Sequence, residues 1–274
     1  VLCVSVYLIT ALSFKSVTAS ETISTVNEAS VENYIFNIYN QIDFGKGAHI
    51  SFEAFDNAYH GYANLRNAGK QGFEDVGAVN GLSQANAQYV SWGTGVYDFD
   101  NDGLLDILIF HGGLIHMIPQ EHTVFRGLGN SRFEDTSRGA GDVLNVRTTA
   151  RGACFADYDN DGKVDAFVVN LDARGTLVHN VSGNAGHWIA LPLKGPRSNR
   201  DGIGAKIEVF AGGKRWMAER VAGSGYLSQN DDRVHFGLGS AATLDKVVVH
   251  WPSGTVQIIE KAAVDHVITV EEPK

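Results

Sequence analysis

The chain has 274 residues, 44% of them hydrophobic and 19% charged, the composition of a soluble globular protein of one or two domains. Its formal charge of −9 excludes nucleic acid as a natural partner, because phosphate binding needs a basic face. Thirty-one glycines against five prolines suit many short strands joined by tight turns.

In chain order, residues 1–19 read first as a secretory signal peptide. Val1 to Phe14 is mostly apolar, and Val17-Thr18-Ala19 supplies small residues at the cleavage positions. The stretch is too short and too interrupted for a transmembrane helix, so no stable membrane span is expected after cleavage, and the expected localisation is secreted or cell-surface. Residues 20–60, with Ile35-Phe36-Asn37-Ile38-Tyr39-Asn40 among them, form a segment to which no motif assigns a role.

The next feature is an acidic loop that occurs twice. Asp98-Phe99-Asp100-Asn101-Asp102-Gly103-Leu104-Leu105-Asp106 is followed 59 residues later by Asp157-Tyr158-Asp159-Asn160-Asp161-Gly162-Lys163-Val164-Asp165. Carboxylates at positions 1, 3, 5 and 9, glycine at 6 and a carbonyl at 7 (Leu104, Lys163) are what a hard cation with oxygen ligands requires. Four carboxylates so close together would repel one another in an empty site. A single D-x-D-x-D-G run could be an ordinary acidic turn; two copies with the same aromatic, asparagine and closing aspartate point to two Ca²⁺ sites. An EF-hand would need Glu at position 12 and flanking helices, whereas those positions are Ile109 and Val168 within the β runs Ile107–Phe110 and Ala166–Val169. The predicted sites are therefore calcium loops between strands. Eight of the 31 acidic side chains lie in them, and two divalent ions would bring the charge from −9 to −5.

A second signature repeats at nearly the same interval. Asn67-Ala68-Gly69-Lys70-Gln71-Gly72-Phe73-Glu74-Asp75 parallels Gly127-Leu128-Gly129-Asn130-Ser131-Arg132-Phe133-Glu134-Asp135. Repeats of about sixty residues with four short strands each predict β-propeller blades over residues 61–185. The partial units, about 33–87, 88–147 and 148–182, are too few to close a ring of four or more blades. An open stack would expose sheet edges and apolar faces that favour self-assembly.

From about Gly186 the repeat stops. Predicted strands at 187–193, 205–210, 215–221, 233–238, 246–251 and 267–270 make residues 186–274 a small β-sandwich. Cys3 falls in the signal, so Cys154 has no partner for a disulfide and reads as a small core residue. His111, His116 and His122 could hold a transition metal, but 111 and 116 would face opposite sides of a strand, which favours solvated loop histidines. Arg200-Asp201 reads as a structural ion pair in a tight turn. Asn180-Val181-Ser182 is a sequon for N-glycosylation. No H-E-x-x-H, G-x-S-x-G, P-loop or paired C-x-x-C occurs, so no enzyme is expected.

These residues resemble a known pair of modules. The D-[FY]-D-N-D-G-x-x-D loops with their F-E-D ends resemble FG-GAP/VCBS repeats, which build integrin-like β-propellers with calcium in the blade loops. Asn199-Arg200-Asp201-Gly202-Ile203-Gly204-Ala205, Gly223 to Asn230, His235-Phe236-Gly237-Leu238-Gly239 and Trp251-Pro252-Ser253-Gly254 resemble the ASPIC/UnbV domain. The combination resembles the cartilage acidic protein-like family and implies a secreted calcium-binding protein with an adhesive or matrix role. The resemblance also implies a seven-bladed propeller, of which this chain carries the final blades.

The fold class expected is thus all-β: partial propeller blades with calcium loops, then a small C-terminal sandwich. The expected function is a secreted calcium-binding adhesion or scaffold protein whose partner is an extracellular protein or glycan. One alternative is a structural subunit of an oligomer or filament completed by neighbouring chains, with residues 20–60 lending a strand to an open edge. The other is a carbohydrate-binding protein or metal-dependent enzyme.

Overall fold

The computed structural model describes residues 65–67, 72–113, 118–171, 173–183 and 186–274. The expected signal peptide, the 20–60 segment, Cys3 and His116 lie outside the described residues. Among those described, antiparallel strands dominate and the helices are single turns, an all-β chain.

The sixty-residue repeat is a repeat of register. Strand β1 (Leu65–Asn67) pairs with β2 (Phe73–Asp75) so that Asn67 faces Phe73. In the next unit β3 (Ser91–Tyr97), β4 (Asp106–His111), β5 (Thr123–Gly127) and β6 (Phe133–Asp135) form one antiparallel sheet in that order, and Gly127 faces Phe133. The third unit supplies β7 (Ala150–Ala156), β8 (Asp165–Asn170) and β9 (Thr176–Val178). Each acidic loop closes a hairpin, with Tyr97 opposite Asp106 and Ala156 opposite Asp165. The helical turns α1 (Gly77–Asn80), α2 (Leu82–Asn86) and α3 (Asp142–Asn145) connect the units.

Strand β4 shows why its sequence is apolar without interruption. Alternate residues of a strand face opposite ways, and here both faces are covered. Ile107 and Ile109 pack with Leu82 and Phe125, whereas Leu108 and Phe110 meet Ala150, Ala153, Phe155 and Val168 of the next sheet. Glycine allows the close approach, since a Cβ at Gly95 would run into the Phe155 ring. Strand β8 has only one covered face: Ala166 and Val168 point into the shared core, but Phe167, Val169 and Leu177 are 43%, 51% and 48% exposed. Cys154, the cross-strand partner of Phe167 on that outer face, is a half-buried free thiol rather than the core residue expected.

The C-terminal region has two sheets. One joins β10 (His187–Lys194) to β13 (Arg233–Gly239), with the short β16 (His266–Val267) and β17 (Val270–Glu271) parallel to β10. The other runs β12 (Lys214–Glu219), β11 (Lys206–Ala211), β14 (Lys246–His250) and β15 (Val256–Glu260). Ile189 and Leu191 from the first share a core with Ile207, Val209, Val247 and Val249 from the second. The expected strand over 267–270 divides into β16 and β17. Strand β15 escapes the sequence pattern because Val256 and Ile258 on its outer side are exposed, which hides the in/out alternation; Pro252-Ser253-Gly254 before it is the turn signal. Glu272, 1% exposed, ties the chain end down by accepting hydrogen bonds from the Arg197 and Ser198 amides and the Ser198 and Ser253 hydroxyls. Burial works to raise its pKa, but these donors outweigh it and hold the carboxyl below its ordinary range.

Candidate metal centre

The two loops have one architecture. Asp98 takes the amide of Asp102 on Oδ1 at 2.9 Å and of Gly103 on Oδ2 at 2.7 Å, and Asp157 takes those of Asp161 and Gly162 at 3.1 and 3.0 Å. The ninth residue closes the turn by accepting the position-2 amide, at 2.9 Å for Phe99 to Asp106 and 3.2 Å for Tyr158 to Asp165. The position-4 asparagines, Asn101 and Asn160, are left-handed with φ of 56° and 61°, and Gly103 and Gly162 follow at 93° and 86°. Asparagine tolerates and glycine favours that region, which is why this residue pair makes the bend.

Positions 1, 3 and 9 converge. Asp98, Asp100 and Asp106 each offer an oxygen within 4.8 Å of the others, as do Asp157, Asp159 and Asp165. That spread suits one cation with oxygen ligands at about 2.3–2.6 Å. Position 5 is turned elsewhere. Asp102 pairs with Arg126 at 2.9 Å and Asp161 with Lys163 at 3.0 Å. Arg126 also lies 3.3 Å from Asp100. Leu104 and Lys163 are fixed through their amides, which donate to Asp102 and Asp161 at 2.8 and 2.9 Å. A third grouping, Asp159, Asp161 and His179, is exposed, with His179 3.1 Å from Asp159.

Electrostatics favours a cation in the inner positions. Burial, aided by the neighbouring aspartates and partly offset by amide hydrogen bonds, pushes Asp98 up to about 8 and Asp106 up to about 7. Burial raises Asp157 and Asp165 too, although Arg233 and His179 respectively work against it. A bound divalent ion supplies the charge that these desolvated carboxylates lack. The donor set, all carboxylate oxygen, suits Ca²⁺ rather than a soft metal.

The loops also bear contacts that no motif suggested. Asn101 donates to Gly162 O at 2.9 Å, linking the first loop to the second, while Asn160 accepts from Arg233 at 2.6 Å. Asn180 donates to Phe99 O and Val164 O at 2.8 and 3.1 Å, one carbonyl in each loop. Its Nδ2 is the atom a glycan would need, and here it braces the two loops. From the C-terminal region, Trp216 Nε1 donates to Gly103 O at 3.0 Å, and the Gly186 and Gly239 amides donate to Asp100 O and Asn101 O at 3.2 and 2.9 Å. Arg233 donates to Asp157 O, and His235 Nε2 lies 3.1 Å from Gly162 O, which makes that nitrogen the protonated one.

The histidine expectation also changes. His111 and His122 are buried core residues rather than solvated loop side chains. His111 joins Ser91 and Thr123 at 2.9 and 2.8 Å, and His122 accepts the His111 amide at 3.1 Å. Burial lowers both, His122 to about 4, so they are neutral hydrogen-bonding groups. Neither belongs to a metal-ligand grouping among the described residues. The Arg200–Asp201 expectation stands as a two-pronged surface pair at 2.8 and 2.9 Å.

Residues 195–274 match the ASPIC and UnbV family. Cartilage acidic protein 1 of Homo sapiens is 26% identical over 202 residues, covering 70% of this chain and 29% of that protein. Its Mus musculus counterpart is 25% identical over 202 residues, covering 70% of this chain and 30% of its own length. That of Xenopus tropicalis is 25% identical over 190 residues, 64% of this chain and 28% of its own. The chain thus spans 30% or less of the length of these relatives.

Proposed function

We propose that this chain, whose residues 195–274 match the ASPIC and UnbV family and which is similar to cartilage acidic protein 1, is a secreted calcium-binding adhesion or scaffold protein. One observation carries the reading: in each loop three carboxylates, the first and last of them buried, converge within 4.8 Å, and the basic contacts at 3.3 and 3.1 Å, Arg126 and His179, reach the middle ones, Asp100 and Asp159. Asp98, Asp100 and Asp106 would hold one Ca²⁺, and Asp157, Asp159 and Asp165 the other. The Leu104 and Lys163 carbonyls complete the proposed sets, and Asp102 and Asp161 join them only by giving up their pairs with Arg126 and Lys163. The ion pins each hairpin turn rather than serving a reaction, and no catalytic role is assigned. The repeated register and the face-to-face packing of the two sheets support reading them as propeller blades. Residues 61–185 then form the repeat domain and 186–274 the sandwich. Relatives named cartilage acidic protein support an extracellular setting, and no helix among the described residues is long and apolar enough to cross a membrane. The proposed ligand is an extracellular protein or glycan.

Calorimetric titration with Ca²⁺ tests the reading. Affinity in the ~10⁻⁴–10⁻³ M range of extracellular modules is expected, and saturation at a hundredfold excess over Kd adds about 2.7 kcal/mol per site. Asp100→Ala and Asp159→Ala should each abolish one site and about half of the calcium-induced rise in melting temperature. Identical melting of both variants and the parent, with and without chelator, would sink the assignment.

The bare face of β8 and β9 favours a second reading, a structural subunit completed by neighbouring chains. Phe167, Val169 and Leu177 occupy the side that β4 covers with the following sheet. Light scattering should then show a mass that grows with concentration, and Phe167→Asp should return it to that of one chain. A concentration-independent monomer removes this reading.

A further inference from the structure

Each acidic loop carries a tryptophan from the C-terminal region on its position-6 glycine. Trp216 of β12 hydrogen-bonds Gly103 and lies 3.3 Å from where a Cβ there would stand. Trp188 of β10 covers Gly162 so closely that a Cβ would collide with its indole nitrogen. A Cβ on Gly237 of β13 would in turn strike the carboxylate of Asp98 itself. The C-terminal sheets therefore rest on the outside of the same turns whose carboxylates converge inside.

We propose that the loop pair is a cation-controlled joint: metal in the loops fixes the surface on which the C-terminal two-sheet region docks, and docking in turn fixes the ligand geometry. This rests on the calcium reading given above. The physical reason is that both partners select one backbone conformation. The cation would gather the side chains of positions 1, 3 and 9. The C-terminal region and Asn101 hold the carbonyls of positions 1, 3, 4 and 6 by the hydrogen bonds described, none of them the position-7 carbonyl reserved for the metal. Without a cation nothing gathers those side chains, and once they ionise their repulsion spreads the turn and misplaces those carbonyls. Anything that binds one conformation of the turn stabilises the other partner's site by the same factor. The position-4 asparagines extend the linkage, because Asn101 ties loop one to loop two and Asn160 ties loop two to Arg233. Asn101 is 0% exposed and, among the described residues, its Oδ1 has no hydrogen-bond partner.

The test uses the full chain and Ca²⁺ itself. Calcium affinity is measured calorimetrically for the parent, Trp216→Ala and Trp188→Ala, and hydrogen exchange at the Gly186 and Gly239 amides is followed in calcium and in chelator. The expected result is at least a fivefold loss of calcium affinity in each variant, the lower end of typical coupling. In the parent, calcium should slow exchange at both amides by at least fivefold. Parent-like affinity in the variants, or exchange at the two amides that ignores calcium in a parent that binds it, overturns the joint while leaving the calcium sites standing. A parent that binds no calcium overturns the sites and the joint together. The exchange measurement needs no variant, so it decides the matter even if a tryptophan replacement fails to fold.

Discussion

Phe155→Ala lowers the unfolding free energy by about 3–5 kcal/mol, the range for removing a large buried aromatic. Phe155 is 1% exposed and sits where the two repeat sheets meet. Its ring lies 5.5 Å from Tyr97, 6.3 Å from Phe99 and 6.2 Å from Phe110, contacts that add to the area it buries. Its backbone is also an anchor for the C-terminal region, its amide donating to Asn230 Oδ1 at 3.0 Å and its carbonyl accepting the Asp231 amide at 2.9 Å. Alanine keeps those backbone bonds but empties the interface between sheets. Chemical denaturation measures the loss, and a change under 1 kcal/mol would mean that the sheets do not depend on each other.

The second large effect is a dependence on pH that calcium reverses. Without metal, Asp98 is pushed up to about 8 and Asp106 to about 7 by burial and by neighbouring carboxylates, whereas in an unfolded chain both titrate near 4. The folded chain thus holds protons that the unfolded chain has released. Stability from this source is complete below about pH 4 and is lost as pH rises through the folded values. Buried His111 and His122 and half-buried His235 act oppositely, because desolvation lowers their values, His122 and His235 to about 4; their contribution is full above about pH 6.5 and disappears on acidification. Between pH 6.5 and 8.5 the aspartates therefore dominate. In chelator, the unfolding free energy should fall by on the order of 2 kcal/mol across that window. Saturating calcium binds the ionised carboxylates, removes the fall and releases protons on binding. Thermal melts in chelator at pH 6.5, 7.5 and 8.5 check it. A level profile would show that these carboxylates ionise freely in the folded chain.

Much of the chain was legible because its signals are local. The acidic loops, the strands that follow them and the F-E-D register depend on turn chemistry and on alternation within about ten residues, and the structure places them at the expected positions. The C-terminal strands were equally readable, except β15, whose exposed outer residues weaken the pattern. What could not be read involves residues far apart in sequence. Asn101 and Asn160 occupy the same loop position, yet one bonds the sister loop and the other Arg233. Asn180 reads as a glycan acceptor, yet its amide is used by two carbonyls. His111 and His122 read as loop residues because nothing nearby in the chain signals their burial.

The sequence by itself determined the two carboxylate turns, the sixty-residue period and the strand pattern, since dihedral preference and hydrophobic alternation act over a few residues at a time. Only the tertiary structure decided which carboxylates converge, which are taken by Arg126 and Lys163, and that Trp188 and Trp216 rest on the loop glycines. Those outcomes follow from burial and from hydrogen bonds between residues far apart in the chain, such as Gly103 with Trp216 and Asn101 with Gly239. Desolvation and long-range pairing exist only once the chain has closed on itself.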